Sequence, residues 1–111
     1  MAYNDITPVK LGQAAITASV TTLYTVPAST RSFVKNLDIV NTSAGALTYR
    51  IYFVPSAGSA GTGNDIFYDF PIDSKENIQW TGTQILDAGD TIQIEASGTG
   101  ITITGSGAEA V

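Results

Sequence analysis

Asp87 and Asp90, separated by Ala88 and Gly89, form the most suggestive chemical group in this chain. Two carboxylates three residues apart could hold Ca²⁺, an ion that takes six to eight oxygens and needs ligands from several loops. The same tetrad reads as a tight turn, with Asp87 accepting a backbone N–H, Gly89 taking a positive φ and Asp90 capping the entry to a strand. The turn is the preferred reading. A second acidic run, Asp65, Asp69, Asp73 and Glu76, is spread along the strand-like stretch from Ile66 to Phe70. Paired carboxylates could also cleave a glycosidic bond. Ten acids in 111 residues make such pairs common, and no cleft signature accompanies them. Trp80 with Tyr24, Tyr49, Tyr52 and Tyr68 could build a sugar platform, although such rings more often plug sandwich cores. Tyr52, on the outward side of its strand, is the best exception.

The missing residue types narrow the chemistry further. Without cysteine there are neither disulfides nor thiolate metal sites, and without histidine the usual general base and commonest transition-metal ligand are gone. Serine and threonine are abundant, but none of the three lysines adjoins a candidate nucleophile. The chain reads as a non-enzyme with no cofactor. A formal charge of −5 and no cluster of three basic residues argue against nucleic acid as a partner. Nothing approaches the ~18 consecutive apolar residues of a membrane-spanning helix. The start, MAYNDITP, lacks the basic and apolar regions of a secretory signal.

The elements that would position these groups are strands. Thr, Ile and Val number 34, against 14 for Leu, Met, Glu, Lys and Arg together. This excess of β-branched over helix-forming residues predicts an all-β chain. Leu23 to Tyr52 organises it: a short run into Val26, a turn at Pro27 to Thr30, a strand from Arg31 to Asn41, a turn through Asn41 to Gly45, and a strand from Leu47 to Val54. On the long strand Phe33, Leu37 and Ile39 share one side with Lys35, while Val34, Asn36, Asp38 and Val40 share the other. On the next, Leu47, Tyr49, Ile51 and Phe53 oppose Thr48, Arg50 and Tyr52. Asn41 and Ser43 can bond nearby backbone, and Gly45 is free to take a positive φ.

Around this centre, Met1 to Pro8 reads as an extended arm and residues 9–111 as one β-sandwich domain. Val9 to Ser19 is an edge-like strand with a bulge or close approach at Gly12. Pro55 to Asp65 has no large apolar side chain and is an exposed, mobile loop. Ile66 to Phe70 and Glu76 to Trp80 are strands, the second with Ile78 and Trp80 inward, broken at Thr81 to Thr83. Gln84 to Leu86, Thr91 to Ala96 and Ile101 to Thr104 follow, and Gly105 to Val111 is a small-residue tail. Eight or nine short strands predict an antiparallel β-sandwich with jelly-roll or Greek-key crossings. The outward positions Val34, Val40, Thr48, Tyr52, Phe67, Thr102 and Thr104 carry no charge, in a chain only 14% charged. A surface so poor in charge implies that part of it is covered in use, most simply by self-association.

LYTVPASTRSFVKNLDIVNTS, from Leu23 to Ser43, and ILDAGDTIQIEASGTGITITGSGAE, from Ile85 to Glu109, resemble small β-sandwich virion proteins of tailed bacteriophages. There a TVPA-x-T turn, an N-T-S turn and an L-x-A-G-D-x-I turn recur in this order, and the match covers most of the chain from Leu11 to Glu109. The resemblance implies a head decoration or cement subunit, often trimeric, bound to the major capsid protein on the virion surface after synthesis in the host cytoplasm. Related domains on tails and fibres imply the alternative, a receptor- or carbohydrate-binding module. Only structural positions match, namely Pro27, Asn41, Gly89 and Asp90. Expected partner contacts are Tyr3 and Ile6 on the arm, Ser56, Ser59 and Asn64 on the loop, and the outward Tyr52.

Overall fold

The computed structural model describes residues 3–111. Eight strands run through it: β1 Ile6–Ile16, β2 Thr21–Thr25, β3 Arg31–Asn41, β4 Leu47–Val54, β5 Asp65–Ile72, β6 Asn77–Leu86, β7 Thr91–Ala96 and β8 Ile101–Ala110. They form two antiparallel four-stranded sheets, ordered β1-β8-β3-β6 and β2-β7-β4-β5. The first is called sheet A and the second sheet B. Every connection except β4 to β5 crosses from one sheet to the other, which is the jelly-roll arrangement expected of a short-stranded β chain.

Apolar residues at every second position close the core between the sheets. Ile101 and Ile103 of β8, Leu37 and Ile39 of β3, Tyr49 and Ile51 of β4, and Ile92 and Ile94 of β7 are all buried. The strands Arg31–Asn41, Leu47–Val54 and Thr91–Ala96 have the predicted limits. Ile78 and Trp80 pack against the core as expected. Gly12 marks both a register shift and a close approach, since a Cβ there would lie 2.6 Å from the Leu23 side chain.

Four expectations fail for identifiable reasons. The break predicted at Thr81 to Thr83 is only a bulge, one extra residue between the partners of Val34 and Asn36, within a strand that runs on from Asn77 to Leu86. Val34, predicted to face outward, is fully buried, because a bulge between Val34 and Asn36 shifts the side-chain alternation. Ser32 and Val34 therefore face the core before the bulge, and Leu37, Ile39 and Asn41 after it. The predicted small-residue tail is the second half of β8, paired on both sides with β1 and β3. Its glycines admit a close approach: a Cβ on Gly107 would sit 1.8 Å from the Phe33 carbonyl oxygen. The predicted arm is shorter than residues 1–8, because Ile6, Thr7 and Pro8 pair with Ala110, Glu109 and Ala108. Pro8 is tolerated because β1 is an edge strand. Tyr3 to Asp5 precede the strand, and Met1 and Ala2 lie outside the described residues.

Candidate functional site

The turn from Asp87 to Asp90 connects two of the predicted contact residues, Tyr3 and Ser56, whereas Tyr52 lies apart within β4. Asp87 to Asp90 is a turn as expected: the Asp90 N–H donates to the Asp87 carbonyl at 3.0 Å, and Gly89 has φ +88°. The acids exchange their expected roles. Asp90, rather than Asp87, accepts backbone N–H groups, from Asp87 and from Ser56, both at 2.9 Å. The Asp87 carboxylate instead accepts from Arg31 at 3.2 Å, and the guanidinium lies 4.6 Å from the centre of the Tyr3 ring. A continuous path therefore runs from Tyr3 through Arg31, Asp87 and Asp90 to Ser56. It joins the start of the chain to the start of the 55–64 loop.

That loop is exposed at Ser56 and Ser59, and its backbone is held internally. Gly58 donates to the Pro55 carbonyl at 2.8 Å, the Asn64 amide donates to the Ser59 carbonyl at 2.9 Å, and the Asn64 carbonyl oxygen accepts from Gly61 at 3.2 Å. Ile6, 60% exposed, opens β1. Tyr52 is not an exposed ring: it sits on the outer side of sheet B as the alternation predicts, yet it is only 3% accessible. Its hydroxyl donates to Glu95 at 3.0 Å, so the phenol lies beneath a polar cluster of its own face.

That polar cluster is the second candidate site, and sequence reasoning missed it. Arg50 of β4 donates in a two-bond fork to Asp69 of β5, at 2.6 and 3.1 Å, and lies 3.7 Å from Glu95 of β7. Tyr68 stacks on the guanidinium at 4.2 Å. An open cleft of about 210 Å³ is lined by Thr48, Arg50, Asp69, Glu95 and Ser97. Asp69 reaches Arg50 because β5 gains an extra residue between the partners of Tyr49 and Ile51, and Asp69 takes φ +48°. The Arg50 fork holds the Asp69 carboxyl below its ordinary value. Burial first, and then Glu95, raise the Tyr52 phenol. The outward alternation of Arg50 and Glu95 is legible in the sequence, but the bulge that brings Asp69 to them has no sequence signal.

Two further polar groups lie inside the sandwich. Asn41 is fully buried; its amide donates to the Gly45 and Ile72 carbonyls, and its oxygen accepts from the Ser43 backbone and hydroxyl. This confirms the expected turn, but Gly45 does not use a positive φ there, because the Asn41 side chain shapes the bend. Tyr24 of β2 donates to the Glu109 carboxylate of β8 and accepts from the Ser32 hydroxyl of β3 at 2.6 Å. Burial, with Glu109 adding to it, pushes the Tyr24 phenol up to about 12. The Tyr49 phenol also rises to about 12, from burial and then from the charge of Glu76. Among the described residues no three His, Cys, Asp or Glu side chains are grouped to hold a metal ion.

No protein-family description matches the chain, and no curated protein sequence matches it. Solved structures do match in fold. A structure of the infectious bursal disease virus VP2 subviral particle superposes with a TM-score of 0.57 at 13% identity, over 96% of this chain and 32% of that one. The chain thus spans about a third of the bursal disease virus proteins it matches. The acid-stable capsid of Helicobacter pylori bacteriophage KHP30 gives 0.57 at 10% identity, over 96% of this chain and 87% of that one. A Bacillus endospore appendage protein, from a family of disulfide-linked pili, gives 0.54 at 13% identity, over 100% and 94%. The chain carries a β-sandwich of the kind found in viral capsid proteins.

Proposed function

We propose that this chain is a structural subunit of a virion, and more specifically a decoration or cement protein on the outer surface of a phage head. The observation that carries the reading is the large apolar side chains left uncovered on a folded sandwich. Ile6 is 60% exposed, Ile85 57%, Tyr68 50% and Phe70 40%. Exposed apolar groups on an otherwise closed fold mark a surface that is covered in use. The fold neighbours support the reading, since a virus particle, a phage capsid and a pilus are all built from repeated copies. No residue set with the spacing of a catalytic site stands out, and the function is adhesive. Each copy buries a modest patch against the major capsid protein and its own neighbours, and many weak contacts add through multivalency. The resemblance to phage virion proteins favours trimers.

The contact surface is the end of the sandwich where Tyr3, Ile6 and the Ser56 to Asn64 loop lie. Because Ile6 to Pro8 belong to the β1 ladder, point substitutions test it more cleanly than deletion. Ile6→Asp combined with Ser59→Arg should leave the unfolding midpoint nearly unchanged and weaken binding to heads stripped of the chain by about tenfold or more. Unaltered head binding by this variant overturns the contact.

A second reading rests on the Arg50 cleft. The exposed Tyr68 ring beside a carboxylate and a guanidinium is suited to a sugar ring, as a receptor- or carbohydrate-binding module on a tail or fibre requires. Glycan-array binding by a multimeric form that is lost in Tyr68→Ala supports it, and an array without signal removes it.

A further inference from the structure

We propose that the outer side of sheet A is a docking surface for an acidic segment of another protein, apolar at its centre and bordered by carboxylates. The pairing of the strands fixes what that side displays. β1 contributes Ile6, Pro8 and Lys10, which lie opposite Ala110, Ala108 and Ser106 of β8. β3 sets Arg31, Phe33 and Asn36 beside the same three residues, and Ile85 of β6 pairs with Phe33. These side chains point away from the core, since Ser32, Val34 and Leu37 of β3 are the buried ones. Pro8, Ala108, Phe33 and Ile85 therefore form an apolar row across all four strands, about 14 Å long at the ordinary strand spacing. Both ends of the row are open to solvent: Ile85 is 57% exposed, and Ile6, two residues before Pro8, is 60% exposed.

The occupant follows from charge. The chain has ten acids and five cations, yet this side carries three of the cations, Lys10, Arg31 and Lys35. Of the acids within its strands only Asp38 shares that side, because Glu109 turns inward to Tyr24. Lys35 is the residue that β3 gains over β8 between Val34 and Asn36; it is exposed, and its ammonium donates to Thr83 at 2.9 Å. Lys10 donates to Gln13 at 3.2 Å. Arg31 is matched by Asp87, but among the described residues neither lysine has a carboxylate within ion-pair distance. The two lysines border the row on its Ser106 side, on strands about 10 Å apart. Unmatched cations at the rim of an apolar patch steer and orient an oppositely charged partner. A second copy meeting this side about a two-fold axis would set the same lysines against them, so charge opposes an isologous contact. A lipid surface is held by clusters of about four to eight cations, more than this side carries.

The inference deepens the decoration reading by naming the chemistry of the head surface bound, but its first test uses the purified full-length chain alone. In an NMR titration a synthetic Leu-Glu repeat peptide should shift the backbone amides of Lys10, Lys35, Ile85 and Ser106, and a Leu-Lys repeat should not. Lys10→Glu and Lys35→Glu should each weaken the binding about threefold or more. Both variants should keep the parent's unfolding midpoint, since each lysine gives up only an exposed hydrogen bond. Lys75→Glu, an equal change of charge beside Asn41 at the far end of β3, should bind as the parent does. No response to either peptide, an equal response to both, or reversals without effect overturns the proposal. Tighter binding to phosphatidylglycerol vesicles than to the peptide, or self-association that the two reversals abolish, overturns it as well. The variants are then tested on heads stripped of the chain, where loss of binding in both lysine variants supports the inference and full binding overturns it. Heads that take up no parent chain, with the peptide result intact, count against the decoration reading alone.

Discussion

β5 and β6 are consecutive in the chain and each closes one side of a sheet, yet they treat their free edges in opposite ways. β5 spends two extra residues on bulges, sets Asp69 in a left-handed backbone conformation and covers its outer side with the Arg50 cluster. β6 has neither charge nor proline and carries an exposed isoleucine, Ile85, one residue before its end. The difference teaches that charge and proline set the two edges apart: both strands are bulged, but β5 puts two carboxylates and a proline on its edge and β6 puts neither there.

The sharpest way to break that comparison is through the aromatic residue on each edge. Trp80 packs against the core and its ring crosses Gly82, so Trp80→Ala should cost about 2–4 kcal/mol in denaturant unfolding. Tyr68→Ala, half exposed on β5, should cost about 1 kcal/mol or less. Equal losses would mean that the two edges are built alike. Asp69→Val should cost about 2 kcal/mol, since a branched side chain at φ +48° adds strain and the Arg50 fork is lost. Asp69→Gly relieves the strain while losing the same fork, so it should stay within about 1 kcal/mol of the parent.

Alkali probes the interior against these edges. Tyr24 and Tyr49 keep their protons to about 12 in the folded chain, against 10.0 for the free phenol. Above pH 10 the unfolded chain therefore binds fewer protons than the folded one. Stability should be complete below pH 10 and fall between pH 10 and 12, by at most about 1.4 kcal/mol per pH unit for each tyrosine. Thermal midpoints recorded beside phenolate absorbance check this, and a flat profile would contradict it. Acid gives the smallest effect. Asp69, held low by Arg50, adds stability above 3.8 that is lost as pH falls through its lower folded value. Arg50→Gln should flatten that acid limb slightly.

Much of the fold is legible in the sequence, because period-two alternation survives wherever large apolar residues mark the core side. Arg31 to Asn41, Leu47 to Val54 and Thr91 to Ala96 are readable for that reason. Val34 misleads because a bulge reverses the alternation without changing the residue types around it. The second half of β8 is hidden because glycine and serine carry no apolar signal, although glycine is what the approach to Phe33 demands. For the sites, the Asp87 to Asp90 turn and the outward Arg50 and Glu95 could be read, but the convergence of Tyr3, Arg31 and Ser56 on that turn could not. Contacts between residues so distant in the chain depend on which strands pair and in which register, and local pattern does not encode that.

The central claim, a structural subunit on a phage head, is tested most directly by immunogold labelling of intact particles with antibody against this chain, viewed by electron microscopy. The account predicts label spread evenly over heads. Label confined to tail tips, or no label on particles at all, would contradict it.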